Sequence, residues 1–152
     1  MHEINIQNNA LKTFSPNKTQ LRNWANSVLT RKTTPQEVTI RIVDVNEMTQ
    51  LNSTYRKKNS HTNVLSFPIQ LPHGVTLPKT PLGDIVICAE VVNREADEQS
   101  KTKDAHWAHM IVHGIYHLLG YDHETEKEAH EMEALEIETL KQLGFTDPYE
   151  RR

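Results

Sequence analysis

The sequence predicts an α+β domain: one small mixed sheet of four strands packed with about five helices. Three observations carry this expectation. Short alternating or β-branched segments are mixed with longer segments of helical period, without strict strand-helix alternation. A helical pattern from about Ala105 has apolar residues on most sides and a stripe of histidines. No repeat, low-complexity tract or linker divides the chain, so residues 1–152 are expected to form a single domain.

Taken in order, Ile4-Asn-Ile-Gln-Asn8 alternates and suits a half-buried strand. Ser15-Pro16 supplies a helix cap and a first-turn proline for a helix through about Thr30, with Leu21, Trp24, Ala25, Val28 and Leu29 on its apolar face. Val38 to Val43 is a β-branched second strand. Asn46 is placed to cap a helix carrying Met48, Leu51 and Tyr55 and ending in Arg56-Lys57-Lys58. Thr62 to Pro68 is a short strand stopped by proline, and Pro68, Pro72, Gly74, Pro78 and Pro81 punctuate a loop. Gly83 to Cys88 is a continuous apolar strand, expected at the centre of the sheet. Helices follow over 89–101, over 105–119 with Asp104 as cap, and over 125–143. The last is expected to turn Met132, Leu135, Ile137, Leu140 and Leu143 inward and to stop at Gly144.

Composition narrows the class of function. Hydrophobic residues make up 36% and charged residues 24%, the profile of a folded water-soluble domain. No run approaches the roughly 18 apolar residues of a membrane span, so no membrane partner is expected. The N-terminus has no basic flank and no apolar core of a secretory signal. A single cysteine, Cys88, fits a reducing compartment, and the expected location is the cytoplasm. The net charge of −3 argues against binding nucleic acid by bulk charge. Seven glutamates, however, fall between Glu124 and Glu138, read as a mostly solvated helix face. The remainder is net basic, with clusters at Arg31-Lys32, Arg56-Lys57-Lys58 and Lys101/Lys103, which permits a local phosphate-binding surface.

Of nine histidines, His106, His109, His113, His117 and His123 lie close together. His113 and His117 are four residues apart, so a helix projects them from one face about one turn apart. Gly120 can take positive φ and turn the chain so that His123 faces the pair. Three imidazoles with a fourth position open is the donor set of a catalytic zinc site. His106 shares the stripe but lies about 10 Å up the axis from His113, too far to share one small ion with His117; the spacing assigns no role to His106 or His109. The spacing H-x3-H-x2-G-x2-H matches the zinc ligands of the metzincin proteases, except that Gly114 stands where those enzymes carry their general-base Glu. That change removes the base of peptide hydrolysis and is expected to open room beside the metal.

His113-Gly-Ile-Tyr-His117-Leu-Leu-Gly-Tyr-Asp-His123 resembles the signature of the YbeY family of bacterial endoribonucleases and rRNA maturation factors. Further blocks resemble the family in its order: Leu51-Asn-Ser-Thr-Tyr55-Arg56-Lys-Lys, Thr62-Asn-Val-Leu-Ser-Phe-Pro68, Leu82-Gly-Asp-Ile-Val-Ile87 and Met132-Glu-Ala-Leu-Glu136. The resemblance implies one zinc ion per chain on His113, His117 and His123, and a functional arginine at Arg56. It implies single-stranded RNA as substrate, maturation of rRNA ends, notably the 3′ end of small-subunit rRNA, and a part in ribosome quality control. Partners would then be rRNA, the small ribosomal subunit and its assembly factors. The departure is Asn63, where many members carry Asp.

The chemistry agrees. A guanidinium fork neutralises phosphate oxygens bidentately. Lys57 and Lys58 can follow an RNA backbone, and Tyr55, Phe67 or Tyr121 can stack a base. Two other readings stand beside the nuclease: a metalloprotease-like hydrolase, from the zincin spacing, and a non-catalytic ribosome assembly factor with a structural zinc.

Overall fold

The computed structural model describes residues 2–56 and 62–150. Lys57, Lys58 and the side chain of Arg56 lie outside the described residues. The chain runs β1 (Glu3–Asn8), α1 (Lys18–Leu29), β2 (Gln36–Val43), α2 (Val45–Arg56), β3 (Val64–Pro68), β4 (Thr80–Cys88), α3 (Ala89–Glu98), α4 (Lys103–Leu118) and α5 (Glu126–Gln142). Among the described residues, four strands and five helices form one α+β domain, as the periodicities predict.

The sheet order is β1-β2-β4-β3. β1, β2 and β4 are parallel, and β3 returns antiparallel to β4, which makes the sheet mixed. β4 is therefore an inner strand, consistent with its unbroken apolar run, and β3 is an edge.

Strand alternation divides the interior into two clusters. Val38, Ile40, Ile42, Ile85 and Ile87 face α1 and α4 with Trp24, Trp107, Ile111 and Ile115. Val43, Val86 and Cys88 face the other way, with Leu65, Met48 and Val91. α4 is the centre of the first layer, touching α1, α3, α5, β3 and β4. Its Trp107, Ile111 and Ile115 are fully buried, each worth about 1.5–3 kcal/mol relative to exposure.

Several element ends differ from expectation, each for a local reason. α1 starts at Lys18 because Asn17 forms the capping box: its side chain accepts from the Gln20 amide while Gln20 reaches back to the Asn17 amide. Ser15 instead accepts from the Asn8 side chain. Asp44, not Asn46, caps α2, accepting from the Glu47 amide at 2.8 Å. β3 begins at Val64, two residues late. β4 begins earlier than expected, at Thr80, because its first residues pair with Gln36 and Glu37 ahead of an irregularity in β2. α3 ends at Glu98, followed by Ser100 at φ 55°. Thr102, not Asp104, caps α4.

The larger correction is in α5. Ile137 is only half-buried, and its expected inward place belongs to Glu136, which is fully buried. The acidic segment is thus not simply a solvated face.

Candidate metal centre and its cleft

α4 brings His113 and His117 to one face one turn apart, near its C-terminal end. Gly120, at φ 101°, then turns the chain out of the helix in a backbone conformation that side chains resist. His123 returns to the pair. One nitrogen from each of the three rings lies within 4.8 Å of the others. The rings are separated by 4.7 Å (His113–His117), 4.9 Å (His117–His123) and 5.7 Å (His113–His123). The expected triad is assembled.

Two of the rings have neighbours that bear on metal binding. Nδ1 of His113 lies 3.0 Å from Oε2 of Glu136. Burial pushes the Glu136 carboxyl upward, but hydrogen bonds from His109, His113 and Tyr149 outweigh it and hold the group down at about 2. Glu136 is therefore a carboxylate and can only accept, so the hydrogen bond runs from Nδ1 of His113 and leaves Nε2 as the ring nitrogen available to a metal. His117 is held below the usual imidazole range, first by burial and then by the neighbouring His113 and His123. This donor set fits a zinc ion with an open position.

His109, His113 and Glu136 also place ligand atoms within 4.8 Å of one another. Those atoms are spent on each other. Nε2 of His109 lies 2.7 Å from Oε1 of Glu136, and the Tyr149 hydroxyl donates to the same oxygen at 2.6 Å. This second group supports the first. Burial keeps the His109 imidazole below its ordinary range, and burial with the adjacent carboxylate pushes the Tyr149 hydroxyl up.

The triad opens into a cleft of about 640 Å³ bordered by β3 and by Tyr55 of α2. Tyr55 is 65% exposed and meets Phe67 edge-on at 5.2 Å. Arg56, the last residue of α2, follows Tyr55 directly. Tyr121 lies away from the cleft, beside Tyr116, Arg31 and Lys32.

Gly114 has a different purpose from the one expected. A Cβ there would meet the Ile85 side chain at 3.1 Å, so glycine lets α4 approach β4 rather than opening space at the metal. Ser66 of β3 donates to the Gly114 carbonyl at 3.3 Å and ties the strand to the helix beside the triad.

Asn63 and His106 join a second network. The Asn63 amide donates to Glu95 at 3.1 Å, and Nε2 of His106 meets the same carboxylate at 3.0 Å. Burial raises the Glu95 carboxyl, but these two partners outweigh it and leave it below the ordinary range. Asn63 therefore satisfies a carboxylate from α3 at the rim of the cleft. An aspartate would bring a second negative charge there.

The sequence assigns no role to Tyr149 or Glu95, and Glu136 enters it only as the last residue of the Met132–Glu136 block. Glu136 had a readable signal: Met132, Glu136 and Leu140 share one helical stripe, so a glutamate sits at a core position.

Fold and site together define a small α+β protein with a candidate metal centre of three histidines, set at the end of a central helix. The chain belongs to the YbeY endoribonuclease family, whose profile, described as Endoribonuclease YbeY, matches residues 3–144. It is thus a nuclease. It is 52% identical over 149 residues to the Endoribonuclease YbeY of Pseudomonas syringae pv. syringae (strain B728a), covering 98% of this chain and 89% of that one. The solution structure of TM1509 from Thermotoga maritima matches the fold with a TM-score of 0.60 at 22% identity, over 99% of this chain and 100% of that one. Among the described residues, no helix is long and apolar enough to cross a membrane.

Proposed function

We propose that the protein is a zinc-dependent, single-strand-selective endoribonuclease acting in rRNA processing. The observation that carries the reading is the convergence of three imidazole donors within 4.8 Å at the mouth of a cleft, in a chain of the endoribonuclease family. His113, His117 and His123 hold one zinc ion per chain. When bound, zinc supplies Lewis acidity that polarises a phosphoryl oxygen and offsets charge developing on it.

The protein's own groups do the rest. Glu136 accepts the Nδ1 proton of His113 and fixes the tautomer that presents Nε2. Arg56 clamps the scissile phosphate with its guanidinium fork, a role supported by the matching family block and by its place directly after cleft-lining Tyr55. Tyr55 offers an exposed ring on which a base can stack, and Lys57 and Lys58 continue the basic run along the RNA backbone. The working setting is the cytoplasm, on the 3′ end of small-subunit rRNA and in ribosome quality control, with the small subunit and its assembly factors as partners.

The test is Arg56→Glu. RNA cleavage is expected to disappear while one zinc per chain is retained by elemental analysis. Loss of the metal in that variant would make Arg56 structural. Peptide cleavage with intact RNA would move the reading to a protease. Full complementation by a folded His113→Ala variant would favour the non-catalytic assembly factor with a structural zinc.

A further inference from the structure

The outer edge of β3 borders the cleft beside the histidine triad. Its register is settled at both ends. The Cys88 amide donates to the Asn63 carbonyl at 2.9 Å, and the Ile69 amide donates to the Leu82 carbonyl at 2.9 Å. Hydrogen-bonded pairs alternate along an antiparallel ladder, so Leu65 and Phe67 turn their peptide groups toward β4. Val64, Ser66 and Pro68 turn theirs outward. Pro68 agrees with this assignment, since an outward position on an edge strand needs no N–H.

Among the described residues no strand pairs with that edge. The Val64 amide is satisfied by the Asn63 side-chain oxygen at 2.7 Å. Three outward groups then follow in order along the strand: the Val64 carbonyl, the Ser66 amide and the Ser66 carbonyl. The sequence of functions is acceptor, donor, acceptor.

We propose that this edge reads one unpaired nucleobase of the substrate, with adenine preferred. The inference rests on the nuclease reading. Adenine presents the complement: its N6 amino group donates to the Val64 carbonyl, its N1 accepts from the Ser66 amide, and its C2–H faces the Ser66 carbonyl. Cytosine repeats the first two contacts but sets its O2 against the Ser66 carbonyl, acceptor to acceptor. Guanine and uracil oppose a carbonyl to Val64 and a ring N–H to the Ser66 amide. In a duplex the base edges are consumed by pairing, so the same contact selects single strands. The Tyr55–Phe67 aromatic pair stands in the same cleft and offers a stacking surface for the bound base.

A peptide strand is the poorer occupant. Strand addition uses a run of outward residues that each offer both groups, whereas here Ser66 alone does so, between the satisfied Val64 amide and Pro68.

The experiment changes the substrate, so folding is not at stake. Oligouridylates carrying one adenosine at successive positions are cleaved by the zinc-loaded protein and the cut sites mapped. Cuts are expected at a fixed offset from the adenosine. Replacing it with purine riboside, which lacks the N6 amino group, or with 1-deazaadenosine, which lacks the N1 acceptor, should each lower kcat/KM about three- to tenfold. The Ser66 amide should be the most shifted backbone signal of β3 when a 2′-O-methyl adenylate trimer is titrated, and Ser66→Ala should preserve that shift. Cleavage indifferent to base identity overturns the edge reading while the nuclease reading stands; no cleavage of any RNA overturns the nuclease reading itself. Protection of the Ser66 amide by an extended peptide, and not by the trimer, would assign the edge to strand addition.

Discussion

Nδ1 of His113 lies 3.0 Å from Oε2 of Glu136, and this contact joins the candidate metal centre to the interior of α5. Glu136 is fully buried and receives three donors, so the ring of His113 is oriented by a carboxylate that is itself held in place. Glu136→Gln keeps the shape but loses the charge. Zinc affinity is expected to fall about tenfold to a hundredfold, read by competition with a chromogenic chelator. An unchanged affinity would remove Glu136 from the metal centre.

Tyr149 contributes from the C-terminal tail, with its hydroxyl 2.6 Å from the same carboxylate. Tyr149→Phe should cost about 1 kcal/mol of stability in urea unfolding, with zinc stoichiometry unchanged. A loss of metal without a loss of stability would show that the tail acts on the site rather than on the fold.

Glu95 makes part of the stability depend on pH. Its folded carboxyl lies below the ordinary value of 4.5, where burial is outweighed by His106 and Asn63. A depressed carboxylate contributes stability above its unfolded value, and that contribution drains away as pH falls through the folded value. The wild type should therefore lose stability on acidification below about pH 4.5. Glu95→Gln should lose less over the same interval, being already weaker at neutral pH. Parallel curves for the two proteins would refute the assignment.

Gly114 sets how closely α4 lies on β4. Alanine improves helix propensity by about 1 kcal/mol, but its Cβ meets fully buried Ile85 at 3.1 Å. Overpacking of this kind costs about 1–3 kcal/mol, so Gly114→Ala should be destabilising by up to about 2 kcal/mol. Adding Ile85→Val should recover part of the loss, a coupling that a double-mutant cycle measures. Additive effects would mean the two positions do not press on each other.

Much of the fold was legible because its signals are local. Period-2 and period-3.6 patterns, a continuous apolar run and a proline stop placed the elements of the described residues, and misplaced helix starts trace to side chains choosing among nearby caps, as Asn17 and Asp44 do. The inward turn of Ile137 was misjudged because hydrophobicity alone ranked it above Glu136, whose burial depends on three partners from other elements.

By itself, the sequence determined the histidine triad: helical rise puts His113 and His117 on one face, and a glycine able to hold positive φ brings His123 back. Tertiary structure decided what surrounds it. Glu136 reaches His113 across 23 residues and Asn63 reaches Glu95 across 32, through the packing of α5 on α4 and of α3 on α4 and β4. The strand order likewise left β3 at the edge of the sheet among the described residues, with its outward peptide groups beside the candidate metal centre. Such contacts follow from which surfaces bury each other, and no spacing along the chain encodes them.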